Sequence, residues 1–191
     1  MRFGERRLPI DDFALAQRPW LNANETVADG PLSFDQEGAK LPLKVQIPNS
    51  GNTPAIYLFL NGIIIVDEPE QSFIPAARAN TLRRRCTALR ASRETNPQTQ
   101  LAIFPKSHIE GGWGAYVRRD EIEKTKGLQH GAIQTMPHLI FCIDYQFTYT
   151  QERHLTAQLF SMTSDASPPF SMNEGDPPIT VKLMLEGTYA D

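Results

Sequence analysis

The feature of the sequence that most constrains the fold is the stretch Ala55–Val66, AIYLFLNGIIIV. Two short apolar runs, Ile56–Leu60 and Ile63–Val66, are separated by Asn61-Gly62. Asn-Gly is the residue pair that most readily adopts the positive φ angles of a type I′ turn, whose twist matches that of paired strands. The pattern therefore predicts a β-hairpin that turns at these two residues. Both faces of the hairpin would be apolar, so we expect it to lie between two layers of structure.

Alternating apolar and polar residues predict most of the other strands. The clearest case is Leu139–Tyr149, where every odd-numbered residue is apolar or aromatic. A period of two residues is typical of a β-strand with one buried face. Weaker forms of the pattern predict strands at residues 41–47, 100–104, 113–117, 155–162 and 179–189.

One segment predicts a helix instead. Pro75 suits a first helical turn, and strong helix formers follow it to about residue 91. Spacings of three and four residues, which place side chains on one face of a helix, relate the apolar residues Ala79, Leu82, Cys86 and Leu89. We therefore expect one helix between the predicted hairpin and the later strands.

These elements predict the fold class. A chain of 191 residues with 40% hydrophobic residues suits one domain with a real core. About eight short strands favour a mainly β fold, an antiparallel two-sheet β-sandwich of the jelly-roll type with one inserted helix. We expect residues 41–191 to form the sandwich and residues 1–40 to form an N-terminal arm. The arm either docks on this domain or a neighbouring copy, which its apolar residues favour, or is a disordered tail.

Charge and cysteine content limit the function classes. The net charge of −3 gives no global attraction to nucleic acid or an anionic membrane. No apolar run approaches the roughly 18 residues of a membrane span and no signal-peptide pattern is present, so we expect a cytoplasmic protein without membrane contact. Cys86 and Cys142 lack metal-binding spacings and are expected to be buried reduced thiols, with one disulfide across a long loop as the alternative.

No catalytic constellation stands out. The nucleophile elbow, the S-x-x-K motif and the glycine-rich phosphate loops are all missing from the sequence. His138, Asp144 and His154 are metal-ligand types, but six residues of strand would hold His138 and Asp144 about 20 Å apart. We therefore predict no catalytic residue, no metal site and no cofactor, and we expect Asp144 to face solvent.

The predicted helix carries a strong local charge. Six arginines and no acidic residue occupy residues 73–93. Arginines beside an apolar seam can lay their stems over a core, pair with carboxylates of another subunit or bind phosphates. No aromatic residues are interleaved for base stacking, so nucleic acid is the minor possibility. The residues predicted to contact a partner are Arg78, Arg83, Arg84, Arg85 and Arg90.

Two loops carry aromatic side chains. Residues 111–114, GGWG, predict a glycine-rich bend, and a proline-rich loop carries Phe170. An aromatic ring on a loop either serves as a platform for a ligand or folds back to close an end of the core. In the first case the platform would consist of Trp113, Tyr116 and Phe170.

The combined pattern favours a function in contact rather than catalysis. An arm, a basic helix and long loops are useful surfaces if copies of the chain touch one another. We expect a non-enzymatic structural or assembly protein, for example a subunit of a virus-like or phage-like particle or another homo-oligomer. Its partner would be a copy of itself or another protein. The alternative hypothesis is a monomeric β-sandwich module that binds a carbohydrate or a peptide.

Overall fold

The computed structural model describes residues 18–23, 25–66, 75–93, 101–126, 137–147, 153–164 and 179–190. The strands are β1 Glu25–Ala28, β2 Ser33–Phe34, β3 Gly38–Pro48, β4 Ala55–Val66, β5 Ala102–Ile103, β6 His108–Arg118, β7 Pro137–Phe147, β8 Arg153–Ser164 and β9 Val181–Ala190. The helices are α1 Pro75–Arg93 and α2 Arg119–Lys126. In these parts of the chain, no helix is long and apolar enough to span a membrane.

All of these strands belong to one mixed sheet. Its order is β1-β3-β6-β4-β7-β8-β9, with β2 beside β3 and β5 beside β4. Neighbours are antiparallel except β4 and β6, which are parallel where Gly62 and Ile63 lie opposite Ala115 and Tyr116. The predicted mainly β class is therefore confirmed. The antiparallel two-sheet sandwich of the jelly-roll type is not confirmed, because the strands form a single sheet that contains a parallel pair.

The predicted hairpin at Asn61-Gly62 is wrong. β4 continues straight through these residues and pairs with β7 from Val66 opposite Pro137 to Ala55 opposite Phe147. A local hairpin would have joined only four residue pairs, whereas the distant strand β7 pairs with nearly the whole of β4. Gly62 has a different use, since a Cβ there would lie 3.1 Å from the Cβ of Ala115 on β6. The glycine therefore permits β6 to approach closely.

A β-bulge near the start of β4 changes which residues face inward. The register shifts between Ile56 and Phe59, and Tyr57 has a positive φ of 52°. An extra residue in one strand reverses the alternation of its side chains beyond that point. Ala55 before the bulge and Leu58 after it consequently both belong to the interior cluster.

The sheet curves until its first and last strands nearly meet. Leu32 and Ile179 form an isolated bridge between the two ends, with N–O distances of 2.8 and 3.0 Å. The enclosed side chains include Phe141 and Tyr145 of β7, which are fully buried. The predicted alternation is confirmed from Leu139 to Phe147, because the odd-numbered residues face the interior and the even-numbered residues face outward. Residues 148 and 149 of the predicted strand lie outside the described residues.

Helix α1 covers the outer face of the sheet beside β7, β8 and β9. The predicted helix is confirmed, and Leu82 and Cys86 of its seam are buried against Ile140 and Cys142. A disulfide joins Cys86 to Cys142, whose Cα atoms are 5.6 Å apart. The prediction of two reduced thiols is therefore wrong, and the alternative of one long-loop disulfide is what the structure contains. One face of β4 packs into the interior, and on its other face Ile65 packs with Leu82 and Cys86 of the helix while Tyr57 is exposed, so the expected cover on both faces is only partial.

Within the predicted arm, residues 25–28 and 33–34 are strands β1 and β2 of the sheet, and residues 18–23 pack against β7, β8 and the turn after β3. Tyr145 donates a hydrogen bond from its hydroxyl to the Pro19 carbonyl at 3.2 Å, and the backbone N–H of Ala23 donates to the side chain of Gln158. A Cβ on Gly51 would lie 2.3 Å from the carbonyl oxygen of Arg18, so the close approach of this segment requires glycine there. Residues 1–17 lie outside the described residues, and the arm as a unit stays a prediction.

Candidate functional site

The predicted partner-contact arginines do not all lie on one surface. Arg83, Arg84 and Arg85 are consecutive and exposed on the outer side of α1, because Leu82 and Cys86 on either side of them face the sheet. The side chain of Arg78 lies outside the described residues. Three of the five arginines therefore form an exposed basic turn in the middle of the helix.

The three exposed arginines differ in their electrostatic partners. Arg85 Nη1 lies 3.5 Å from Glu121 Oε1 of α2, and both side chains are well exposed. An exposed ion pair of this kind is worth well under ~1 kcal/mol. No described carboxylate lies within ion-pair distance of Arg83 or Arg84. Of the three exposed arginines, Arg83 and Arg84 are therefore the ones that have positive charge to offer a partner.

Arg90 belongs to an ion cluster beneath the helix and not to its exposed surface. Its Nη2 atom lies 3.2 Å from Asp144 Oδ1. Arg153 holds the same carboxylate in a fork, with Nε 3.3 Å from Oδ1 and Nη2 2.5 Å from Oδ2. Asp144 is only 1% exposed, so the prediction that it faces solvent is wrong. The reason is that α1 and Arg153 cover the outer face of β7 at this position.

Among the described residues, the cluster pairs one carboxylate with two guanidinium groups. The carboxylate is shielded from water, and the arginine side chains are partly exposed. A buried carboxylate is tolerated when charged hydrogen-bond donors satisfy it. The arrangement therefore serves to fasten the C-terminal part of α1 to β7 and β8.

The histidines do not assemble a metal centre in the described part of the chain. His138 is buried with Nε2 3.6 Å from Glu186 Oε2, and His154 packs against the rings of Tyr145 and Phe147. The described residues contain no group of three or more His, Cys, Asp or Glu side chains that could hold an ion. His154 lies beside Tyr145 in the register and not beside Asp144.

The residues of the predicted ligand platform lie on opposite faces of β6. Trp113 points inward, packs against the core and meets Phe141 edge-on with ring centroids 6.5 Å apart. Tyr116 points outward and is 49% exposed. Phe170 lies outside the described residues. The predicted bend at residues 111–114 is part of the strand, so only Tyr116 stands on an open surface in the described structure.

A shallow groove surrounds Tyr116 on the outer face of β3 and β6. Pro42 lies opposite Gly114, and Lys40 lies opposite Tyr116. The lining residues are Lys40, Leu41, Pro42, Trp113, Gly114, Ala115 and Tyr116. Nearly all of the groove surface is apolar, which is unusual for an exposed sheet face.

A second exposed apolar surface lies where the arm enters. It consists of Trp20, Tyr57, Leu101 and Phe104, which we call the apolar end. The guanidinium carbon of Arg18 lies 4.8 Å from the ring centroid of Trp20, a distance that favours cation–π attraction. The sequence patterns do not single out these residues. Leu101 and Phe104 belong to a predicted strand, Tyr57 to the predicted hairpin and Trp20 to the predicted arm.

Neither a protein-family model nor a curated protein nor a solved structure matches this chain.

Proposed function

We propose that this chain is a non-enzymatic structural or assembly protein that associates with copies of itself, as in a virus-like or phage-like particle or another homo-oligomer. The observation that supports the proposal most is the apolar end. Phe104 is 63% exposed, and Trp20, Tyr57 and Leu101 are each more than a third exposed. Scattered apolar residues are normal on a surface, whereas a contiguous group of large ones marks an interaction site.

The four residues of the apolar end lie on backbone segments that are joined to one another. Three hydrogen bonds connect these segments: Ser50 N to Trp20 O at 3.0 Å, Lys106 N to Asn49 O at 2.9 Å, and Leu58 N to Leu101 O at 3.4 Å. Tyr57 stands at the bulge of β4, where its positive φ turns it away from the interior. The four residues therefore lie on connected segments of the backbone.

A second copy of the chain suits this surface. Most soluble oligomers are symmetric homo-oligomers, in which one patch meets its own copy. Aromatic residues at the centre of such a contact supply most of its binding free energy. Trp20 and Phe104 are aromatic side chains of this kind in the apolar end. Arg83 and Arg84 would add charged contacts to carboxylates of a neighbour elsewhere in an assembly.

Light scattering after size-exclusion chromatography tests the proposal. The unmodified protein is expected to have a mass that is a multiple of 21.5 kDa and falls on dilution. Phe104→Ser is expected to raise the concentration needed for association by about tenfold or more, because a central aromatic side chain is typically worth more than ~1.4 kcal/mol.

Met184→Ser is the matched control. Met184 is 58% exposed on β9, so the control substitution removes a similar apolar side chain from another surface. Association of this variant is expected to be unchanged. A monomer at every concentration, or equal weakening by both substitutions, would overturn the proposal.

A further inference from the structure

The middle of β6 contains two glycines that the described fold does not require. A Cβ added to Gly114 would meet nothing within 4 Å, and one added to Gly112 would meet only the carbonyl oxygen of Leu43 at 3.9 Å. Neither has a positive φ. By contrast, a Cβ on Gly111 would press on the Trp113 ring at 2.9 Å. Gly112 and Gly114 therefore have room for side chains on the exposed face.

A glycine inside a strand has a thermodynamic cost. It loses more backbone entropy on folding than other residues and contributes no side-chain contact. A glycine inside a strand often marks a bulge, a tight bend, or a place where a ligand or another backbone approaches closely. The bare strip at Gly112 and Gly114 fits the last of these cases, since both lie in the unbroken ladder between β3 and β6.

The side chains around the bare strip form a groove with a definite shape, which we call the glycine groove. Along β6 its floor is Gly112 and Gly114, and the Tyr116 ring stands at one end. Along β3 its wall is Pro42, between the stems of Lys40 and Lys44. The distance along β6 from Gly112 to Tyr116 is about 14 Å at ~3.4 Å per residue.

The charged groups at the rim of the glycine groove already have partners. Lys44 Nζ lies 2.7 Å from Glu110 Oε1, and Lys40 Nζ lies 3.0 Å from Asp35 Oδ2. Each ammonium group faces a carboxylate, and Lys40 Nζ also lies 3.7 Å from Glu37 Oε2, so the rim has donors and acceptors but no surplus positive charge. A neutral ligand is the one that such a rim complements, and a phosphate-rich ligand would find no unpaired cation there.

We infer that the glycine groove binds a short neutral oligosaccharide, which is a site beyond the proposed self-association. A sugar ring has a flat face of C–H groups edged by hydroxyls. The C–H face fits the Tyr116 ring and the bare glycine floor, and the hydroxyls reach the ammonium and carboxylate groups of the rim. A mostly apolar surface with a few placed polar groups is typical of small-ligand sites.

An extended peptide fits the glycine groove less well. Peptides that bind sheets usually add a strand at a free edge, where they form main-chain hydrogen bonds. The glycine groove lies on a face of the sheet, between the side chains of β3 and β6. The occupant must therefore carry its own hydrogen-bonding groups at its edges.

Titration calorimetry with four neutral trisaccharides tests the inference. The probes are maltotriose, cellotriose, xylotriose and the trimer of N-acetylglucosamine, each added to the full chain. At least one of them is expected to bind. Gly114→Val is expected to abolish that binding by filling the groove, and Tyr116→Ala is expected to weaken it by about tenfold or more.

Gly187→Val is the matched control. A Cβ at Gly187 on β9 also meets nothing within 4 Å, so the same substitution is made on a different strand. Binding by this variant is expected to equal that of the unmodified protein, and circular dichroism checks that each variant is folded. Failure of all four sugars to bind at about 10 mM would overturn the inference, as would binding that survives both Gly114→Val and Tyr116→Ala.

Discussion

The disulfide between Cys86 and Cys142 is expected to supply a large part of the stability of this chain. It joins α1 to the outer face of β7, and both sulfur-bearing residues are almost fully buried. Reducing it leaves α1 attached mainly by the short seam around Leu82 and by the contact of Arg90 with Asp144. Reduction of this one bond is therefore expected to lower the free energy of unfolding.

The magnitude follows from the length of the closed loop. The two cysteines are 56 residues apart in sequence. A cross-link over that length lowers the entropy of the unfolded chain by about 14 cal/mol/K, which is about 4 kcal/mol at 25 °C. A domain of this size has roughly 5–15 kcal/mol of stability in total. Loss of the bond should therefore remove a substantial share of the free energy of unfolding.

Urea unfolding of the oxidised and reduced protein measures this difference. Reduction is carried out in denaturant, because the buried bond is shielded in the folded state, and the protein is then refolded with reductant present. The double variant with Cys86→Ala and Cys142→Ala should be unaffected by reductant. A change of less than about 1 kcal/mol on reduction would refute the reasoning from chain entropy.

The same bond bears on where the protein resides. Disulfides persist in oxidising compartments and are rare in the cytosol, where thiols are kept reduced. The cytoplasmic location that we propose and the bond between Cys86 and Cys142 therefore imply different thiol states in the cell. Alkylation of thiols at the moment of lysis, followed by a thiol count in denaturant, distinguishes them: two free thiols agree with the cytoplasm, and none agrees with an oxidising compartment.

Two further predictions concern charged groups. Asp144→Asn is expected to lower the free energy of unfolding by about 2 kcal/mol, measured with urea, because both guanidinium groups lose a charged acceptor but can turn partly to solvent; a loss below about 0.5 kcal/mol would contradict the fastening role. The Lys44 ammonium group holds the pKa of Glu110 below its usual value of 4.5. A lowered folded-state pKa gives stability that is present above the unfolded pKa and is lost as pH falls through the folded pKa. Between about pH 6 and about pH 3 the unmodified protein should therefore lose more stability than Glu110→Gln, and equal losses would disprove this contribution.

Strands with a long, regular alternation were predictable from sequence. The alternation in β7 is a local property of the chain, so it specified both the strand and the face that each residue takes. The helix was predictable for the same reason, since the seam of Leu82, Cys86 and Leu89 repeats within one segment. Local periodicity was sufficient to predict an element when the whole pattern lies within the residues of that element.

Pairing between distant strands was not predictable in this way. Asn61-Gly62 is a strong local hairpin signal, but β7 and β6 on either side of β4 supply more hydrogen bonds than a turn between two four-residue arms could. The parallel contact of Gly62 with Ala115 has no signature in either segment. The choice of one mixed sheet over two sheets depended on such contacts.

The buried ion cluster could have been found with one additional fact. Arg90 follows Cys86 by one helical turn, and Asp144 follows Cys142 by two strand residues on the same face. A bond between the cysteines therefore brings the guanidinium group close to the carboxylate. With reduced thiols that link is missing, and the aromatic face of the strand opposite Asp144 then favours solvent for its side chain.

The bridge between Leu32 and Ile179 has a consequence for how the molecule opens. In the described structure, the bridge between the two ends of the sheet has two main-chain hydrogen bonds. Along the sheet, only the junction of β4 with β6 is as short, with two register pairs, whereas the other junctions from β1 to β9 have four or more. The wall can part at this seam after losing only those two bonds. Opening at this seam would expose the enclosed side chains to solvent while the longer ladders stay paired.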